Sequence, residues 1–241
     1  MSQGVARGDS QLALPVLRQA PQPTVADQVF AALQQRILTL ALPPGTRISE
    51  TEVSQKMGVS RQPVREAFKR LAKLGFLVIR PQSSTTVSLI SEDAVLRAQF
   101  IRTALEVKTC RTACETRTDA GLARLGDLME QQKAAIEAND PEVFHALDDA
   151  FHIEICRIAG VAYVWDLIQE SKAHMDRIRM LTLNTSSQKM AYGEHIAIRD
   201  AIAAGDADAA EAAITAHLAR ITIRIEEVKA QDHSFFQDTR E

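Results

Sequence analysis

The sequence predicts a mainly α-helical chain in two units: three helices followed by a β-hairpin, then an all-α bundle of about six helices. Three observations predict it. Apolar residues recur at helical spacing through most of the 241 residues. The period becomes extended in "FLVIR" and "TTVSLI". Charge is also divided: residues 24–90 carry nine Lys and Arg against four Asp and Glu, whereas residues 91–241 carry seventeen against twenty-six. A basic unit is joined to an acidic one, and the length suits two cores.

Residues 1–23, "MSQGVARGDSQLALPVLRQAPQP", are rich in Gln, Pro and Ser and are expected to be disordered. They lack a signal-peptide hydrophobic region, and no apolar run approaches a membrane span. Three cysteines with no CxxC spacing fit a reduced compartment better than a disulfide framework. The expectation is therefore a cytoplasmic protein with no membrane contact.

Thr24 is placed to cap a first helix whose Val25, Val29, Leu33, Ile37 and Leu40 share one face, and "PPGT" stops it. A short second helix begins at Ser49, with Glu52 three residues on in a capping-box pattern, and Gly58 ends it. Ser60 is expected to cap the third helix, which tolerates Pro63 in its first turn and buries Val64, Phe68, Leu71 and Leu74. Gly75 closes it, and two strands follow around the polar loop "PQSS". Helix, helix, helix, hairpin is the order of a winged helix-turn-helix over residues 24–90. The bundle is expected over 91–230, with helices near 92–117, 119–138, 141–158, 162–184, 187–204 and 206–229, and residues 231–241 as a flexible tail.

The stretch "MGVSRQPVREAFKRLAKLGF" puts Arg61 and Arg65 on the first turns of a helix, where the helix dipole opposes cations by about 0.3–1 kcal/mol each. A recognition helix explains that placement, because its N-terminal residues face base edges and phosphates in the major groove. Arginine binds guanine and glutamine binds adenine through paired hydrogen bonds, so Arg61, Gln62 and Arg65 are candidates for base reading. Ser60 and the helix-start amides suit phosphate. The bland alternative is a solvated charged face.

The run "LPPGTRISETEVSQKMGVSRQPVREAFKRLAKLGFLVIR" resembles the DNA-binding domain of the GntR family of bacterial transcription regulators, from about residue 25 to 90. The resemblance implies that Arg61, Gln62 and Arg65 occupy DNA-contacting positions, on double-stranded DNA with a palindromic operator read by a homodimer. The wing tip departs from the family, being "QSSTT" where Gly is frequent.

In the acidic unit, Asp148 and His152 are four residues apart and project from one helix face, while His195 and His217 fall on two later helices. A carboxylate and three imidazoles converging in a bundle would hold a divalent metal such as Zn, Ni or Mn with positions left open. Spacing alone favours separate hydrogen-bonded core histidines over a metal site. Residues 92–230 resemble the FCD ligand-sensing domain of the FadR subfamily, in its shorter VanR-like branch. There a D-x-x-x-H pair and two later histidines bind metal, and Asp148, His152, His195 and His217 match those positions. Arg102 matches an arginine facing the effector pocket, which implies a small carboxylate effector. It is equally placed to pair with Glu106 one turn on, and Arg177 and Arg179 are further candidates for the pocket. Cys156, one turn beyond His152, reads as core.

The function implied is a DNA-binding transcriptional regulator, a repressor by the commoner family behaviour, whose operator affinity is controlled by an organic acid at a metal site. The alternatives are a metal-dependent enzyme, and an architectural DNA-binding protein with a purely structural metal.

Overall fold

The computed structural model describes residues 22–80 and 84–237; the expected disordered segment through residue 21, the wing tip at 81–83 and residues 238–241 lie outside the described residues. The first unit is α1 (Val25–Leu38), β1 (Arg47–Ile48), α2 (Glu50–Met57), α3 (Arg61–Lys73), β2 (Leu77–Ile79) and β3 (Thr85–Val87). Thr24 and Asp27 cap α1 reciprocally, and Val29, Leu33 and Ile37 turn inward. They meet Val64, Phe68 and Leu71 of α3 in one core with Phe76, Leu77 and Val87.

Several details differ from expectation: α1 ends before Leu40, which takes a left-handed backbone, and Val25 is exposed. Ser49 caps α2 through the Glu52 amide, but the Glu52 carboxylate binds Lys56 at 2.8 Å instead of returning to the cap. Ser60 has the extended backbone of a cap, yet its hydroxyl makes no capping bond. The sheet has a third strand, β1, paired antiparallel to β3 in the order β1-β3-β2. Two residues are too few to show a period.

The second unit is helical throughout: α4 (Glu92–Thr116), α5 (Asp119–Glu137), α6 (Pro141–Ile158), α7 (Val164–Gln169), α8 (Ala173–Thr182), α9 (Thr185–Ala204), α10 (Ala207–Ala219) and α11 (Ile221–Gln231). Its main core gathers Cys110, Cys114, Leu125, Phe151, Ile198 and Ile214. The cysteines are free and buried, and Cys156 packs with Trp165 and Ile168. Two of the six expected helices are each broken in two. Between α7 and α8 the chain turns Lys172 inward, where its ammonium binds Asp149 at 2.7 Å and both oxygens of Asp176 at 2.8 Å. Between α10 and α11 the helix stops at Arg220, whose guanidinium turns to Glu194 Oε1 at 2.8 Å. Among the described residues no helix is long and apolar enough to cross a membrane.

The two units meet along residues 88–91. From α8, Arg177 is fully buried and donates from Nη1 to the Ser88 carbonyl at 2.8 Å and its hydroxyl at 3.1 Å. His174 Nδ1 accepts from the Ser91 amide at 3.2 Å. The expected flexible tail is instead docked as far as Gln237. A 3-10 turn (His233–Phe235) leads into Phe236, which is buried against Ile90, Val95 and Ile178. The Ile90 amide bonds the Phe235 carbonyl at 2.8 Å, and the Gln237 amide bonds the Ile90 carbonyl at 2.9 Å. An aromatic side chain seeking apolar cover is what pins the tail.

Burial, with Arg177 and Arg97 nearby, pushes the His174 imidazole down to about 4. Its folded pKa lies below its unfolded one, so the unfolded chain binds more protons and stability falls as pH drops from about 6.5 towards 4. Between pH 7 and pH 5 wild type is expected to lose about 2 kcal/mol more than His174→Asn, which keeps an acceptor without the titration. Urea unfolding of both proteins at the two pH values measures it; equal losses would remove His174 as the cause.

Candidate metal centre and nucleic-acid interface

Asp148 and His152 project from successive turns of α6, a helix started by the Asp140 cap and Pro141. His195 comes from α9 and His217 from α10. One donor atom from each lies within 4.8 Å of all the others, so the fold brings together the four residues that spacing left apart. The three rings crowd one another, with His195 and His217 centroids 4.8 Å apart and Phe151 stacked on His195 at 4.3 Å.

His195 and His217 are held from behind by hydrogen bonds at Nδ1, and a carboxylate stands close behind His152. His152 Nδ1 lies 2.6 Å from Glu106 Oε2, His195 Nδ1 lies 2.9 Å from Gln132 Oε1, and His217 Nδ1 lies 3.0 Å from Glu194 Oε2. Gln132 has its own orientation set, because its Nε2 donates to the Leu147 carbonyl at 3.1 Å. An acceptor at Nδ1 places the proton there and turns the Nε2 lone pair toward the centre. Sequence reasoning missed Gln132 and Glu194 and treated Glu106 only as a partner for Arg102. The adjacency in "YGEHIAI" is misleading, since Glu194 supports His217 and not its neighbour His195.

His152 Nε2, His195 Nε2 and Asp148 Oδ1 are buried and have no hydrogen-bond partner among the described residues. Leaving such atoms unmet costs about 1–3 kcal/mol each, and a divalent cation at their centre would satisfy all of them. The ionisation states suit one. Burial would raise the Asp148 carboxyl, but Arg179 and the three histidines hold it well below the usual carboxylate range. Burial pushes His195 well down, and lowers His217 despite the opposing pull of Glu194. An anionic Asp148 beside His195 and His217, both disfavoured as cations, is a donor set that fits Zn, Ni or Mn. Asp149 and Cys156 are not part of it: Asp149 binds Lys172, and Cys156 lies in the core, its thiol pushed up to about 12 by burial.

Asp148 and His217 open onto a cavity of about 70 Å³ also lined by Arg102, Met175, Arg179 and Arg220. Arg102 pairs with Glu106 and also lines the cavity. Its Nε binds Glu106 Oε1 at 2.6 Å, while its buried Nη2 is without a partner among the described residues. Arg179 ion-pairs with Asp148 Oδ2, and its buried Nη1 lies 3.6 Å from Asp149 Oδ1 and 4.0 Å from Asp176 Oδ1. Arg177 does not reach the cavity; it turns to the domain joint at Ser88.

The other surface is the start of α3. Val64, Ala67, Phe68 and Leu71 face inward, which leaves Arg61, Gln62 and Arg65 exposed on the opposite side. The Arg61 and Arg65 side chains are 59% and 47% exposed. The Ser60 hydroxyl, unused as a cap, stands at the same end.

Residues 25–87 match the family model for bacterial regulatory proteins of the gntR family, and residues 99–220 match the FCD domain. The HTH-type transcriptional repressor RspR of Escherichia coli is 36% identical over 90% of this chain and 96% of its own length. The chain belongs to the GntR family. Another GntR relative, the HTH-type transcriptional regulator LutR of Bacillus subtilis, is 28% identical over 75% of this chain and 91% of its own. The solved structure of E. coli McbR/YncC shares the fold, with a TM-score of 0.73 and 22% identity over 86% of this chain and all of that one. This GntR protein is a DNA-binding transcriptional regulator with a winged helix-turn-helix and an FCD domain, and not an enzyme.

In chelator-stripped protein, Arg179→Met leaves Asp148 buried without its cation and is expected to cost about 3 kcal/mol of stability. Added Zn²⁺ should recover most of that loss by replacing the missing charge. Urea unfolding with and without Zn²⁺ decides; a loss that Zn²⁺ does not reduce would show that Asp148 is not open to metal.

Proposed function

We propose that this regulator is a cytoplasmic homodimeric repressor of a palindromic operator, and that a small organic acid bound at a divalent metal controls its DNA affinity. One observation carries the reading. Asp148 and His217 of the four-residue cluster open onto a cavity lined by two arginines, Arg102 and Arg179, and the buried Arg102 keeps an unused Nη2 donor. Asp148, His152, His195 and His217 would hold the metal, which when bound accepts oxygen donors at its open positions. Arg102, with its Nη2 unused, supplies the guanidinium that binds a carboxylate, and Arg179, engaged by Asp148, adds positive charge to the cavity wall. About 70 Å³ takes only a small acid, since one water needs about 10–15 Å³ by the same measure.

On the DNA side, Arg61, Gln62 and Arg65 read base edges and Ser60 meets phosphate. The relative RspR is a repressor, which favours negative control. Effector control requires different affinities of the acid for the DNA-competent and DNA-incompetent arrangements, and not occupancy alone.

A thermal-shift screen of small hydroxy acids, sugar acids and dicarboxylates, on Zn²⁺-loaded and chelator-stripped protein, tests the reading. An acid at a hundredfold its Kd adds about 2.7 kcal/mol, or roughly 5–10 °C for a chain of this size. The shift is expected only with metal and is expected to vanish in His195→Ala and Arg102→Met. Shifts that ignore metal would reduce the metal to a structural part.

Separately, Arg61→Ala and Arg65→Ala are each expected to relax base preference with a loss of about 1–3 kcal/mol on a selected site. Binding to unrelated DNA should fall far less. Gel-shift titrations on both duplexes measure the difference, and equal losses on the two would assign these arginines to phosphate contact alone.

A further inference from the structure

The hydrogen bonds of Arg65 single out Glu50, the first residue of α2. Arg65 Nε lies 3.2 Å from both Glu50 oxygens, and Arg65 Nη2 lies 3.2 Å from Oε2. Those two nitrogens form the side edge of the guanidinium fork. The end edge, made of Nη1 and the second Nη2 hydrogen, has no partner among the described residues. It is a second paired-donor edge, suited to guanine O6 and N7. Arg61 touches the same carboxylate more loosely, at 3.4 Å.

An acid in this place needs a reason, because a carboxylate beside a DNA-facing helix repels phosphate. Helix stability is a weak one: Ser49 already caps α2, and a first-turn carboxylate adds little to that. Glu50 is also more enclosed than its partner, with its side chain 26% exposed against 47% for Arg65. Hydrogen bonding from Arg65 outweighs partial burial and keeps Glu50 below the usual carboxylate range, so it stays charged at neutral pH. A clamped fork loses less rotamer freedom on binding than a loose one, and it is biased against swinging to a neighbouring base or phosphate.

We propose that Glu50 is a positioning residue for operator recognition: it grips Arg65 by the side edge and leaves the end edge to read one base pair. The inference rests on Arg65 reading a base, as proposed above.

The test uses full-length protein and a pool of duplexes randomised across the binding site, with the bound fraction sequenced. Wild type is compared with Glu50→Gln, Arg65→Ala and the double variant, alongside Kd for a duplex of unrelated sequence and the melting temperature of each protein. Glu50→Gln should weaken base preference about 2- to 10-fold at the one position that Arg65→Ala erases. Binding to unrelated DNA should be unchanged or tighter, since a negative charge is gone. In the Arg65→Ala background Glu50→Gln should have no further effect on preference, the mark of a residue acting through another.

Three outcomes overturn the proposal. Equal weakening on all duplexes with a lower melting temperature means that Glu50 only supports α2. Tighter binding with every preference intact means that it only tunes charge. A changed preference elsewhere, or one that adds to Arg65→Ala, means that Glu50 reads a base itself. If Arg65→Ala alone leaves all preferences intact, the reading of α3 fails first and this inference with it.

Discussion

The arrangement of the FCD domain turns on the Asp148 carboxylate, buried on α6 and held ionised by Arg179 from α8. A charge in that position is costly unless it is paired, and breaking such a pair costs several kcal/mol. The pair therefore ties α6 to α8. With one oxygen taken by Arg179, the other is left facing the histidines, His195 Nε2 lying 3.5 Å from it. His195, held at Nδ1 by Gln132, presents Nε2 to that oxygen, whereas His152 Nε2 lies 3.8 Å from the oxygen that Arg179 holds.

The helix that supplies Arg179 also supplies the contacts to the DNA-binding unit. Arg177 and Arg179 are two residues apart, which puts them on opposite sides of α8. One turns to Asp148 and the cavity, the other to Ser88, with His174 beside it on Ser91. Two Arg177 nitrogens, Nε and Nη2, are buried and have no partner among the described residues, so this joint is not fully satisfied. Phe236 closes the same segment from the other side through Ile90. Residues 88–91 are thus gripped by a helix that also touches the candidate metal centre and by the end of the described chain.

At the recognition helix the energetic balance is different. Two cations at a helix start oppose its dipole, and Glu50 offsets part of that by standing between α2 and α3. These ion pairs are exposed and contribute little to stability. The weight proposed for them lies in the direction that Glu50 imposes on Arg65.

Much of this was legible in the sequence. The order of the first unit, the recognition helix and its outward residues followed from period, caps and charge, because each is a local property of a short segment. Asp148 and His152 were legible as a pair because four residues on one helix fix their relation. That His195 and His217 join them, and that Gln132 and Glu194 stand behind the rings, was decided by how α5, α6, α9 and α10 rotate against one another, which no local period records. The helix breaks at Lys172 and Arg220, the two-residue β1 and the docking of Phe236 had the same origin, each depending on a partner far away in sequence. Local pattern determined what each segment is, whereas packing alone determined which side chains meet, because burial and pairing are properties of distant neighbours.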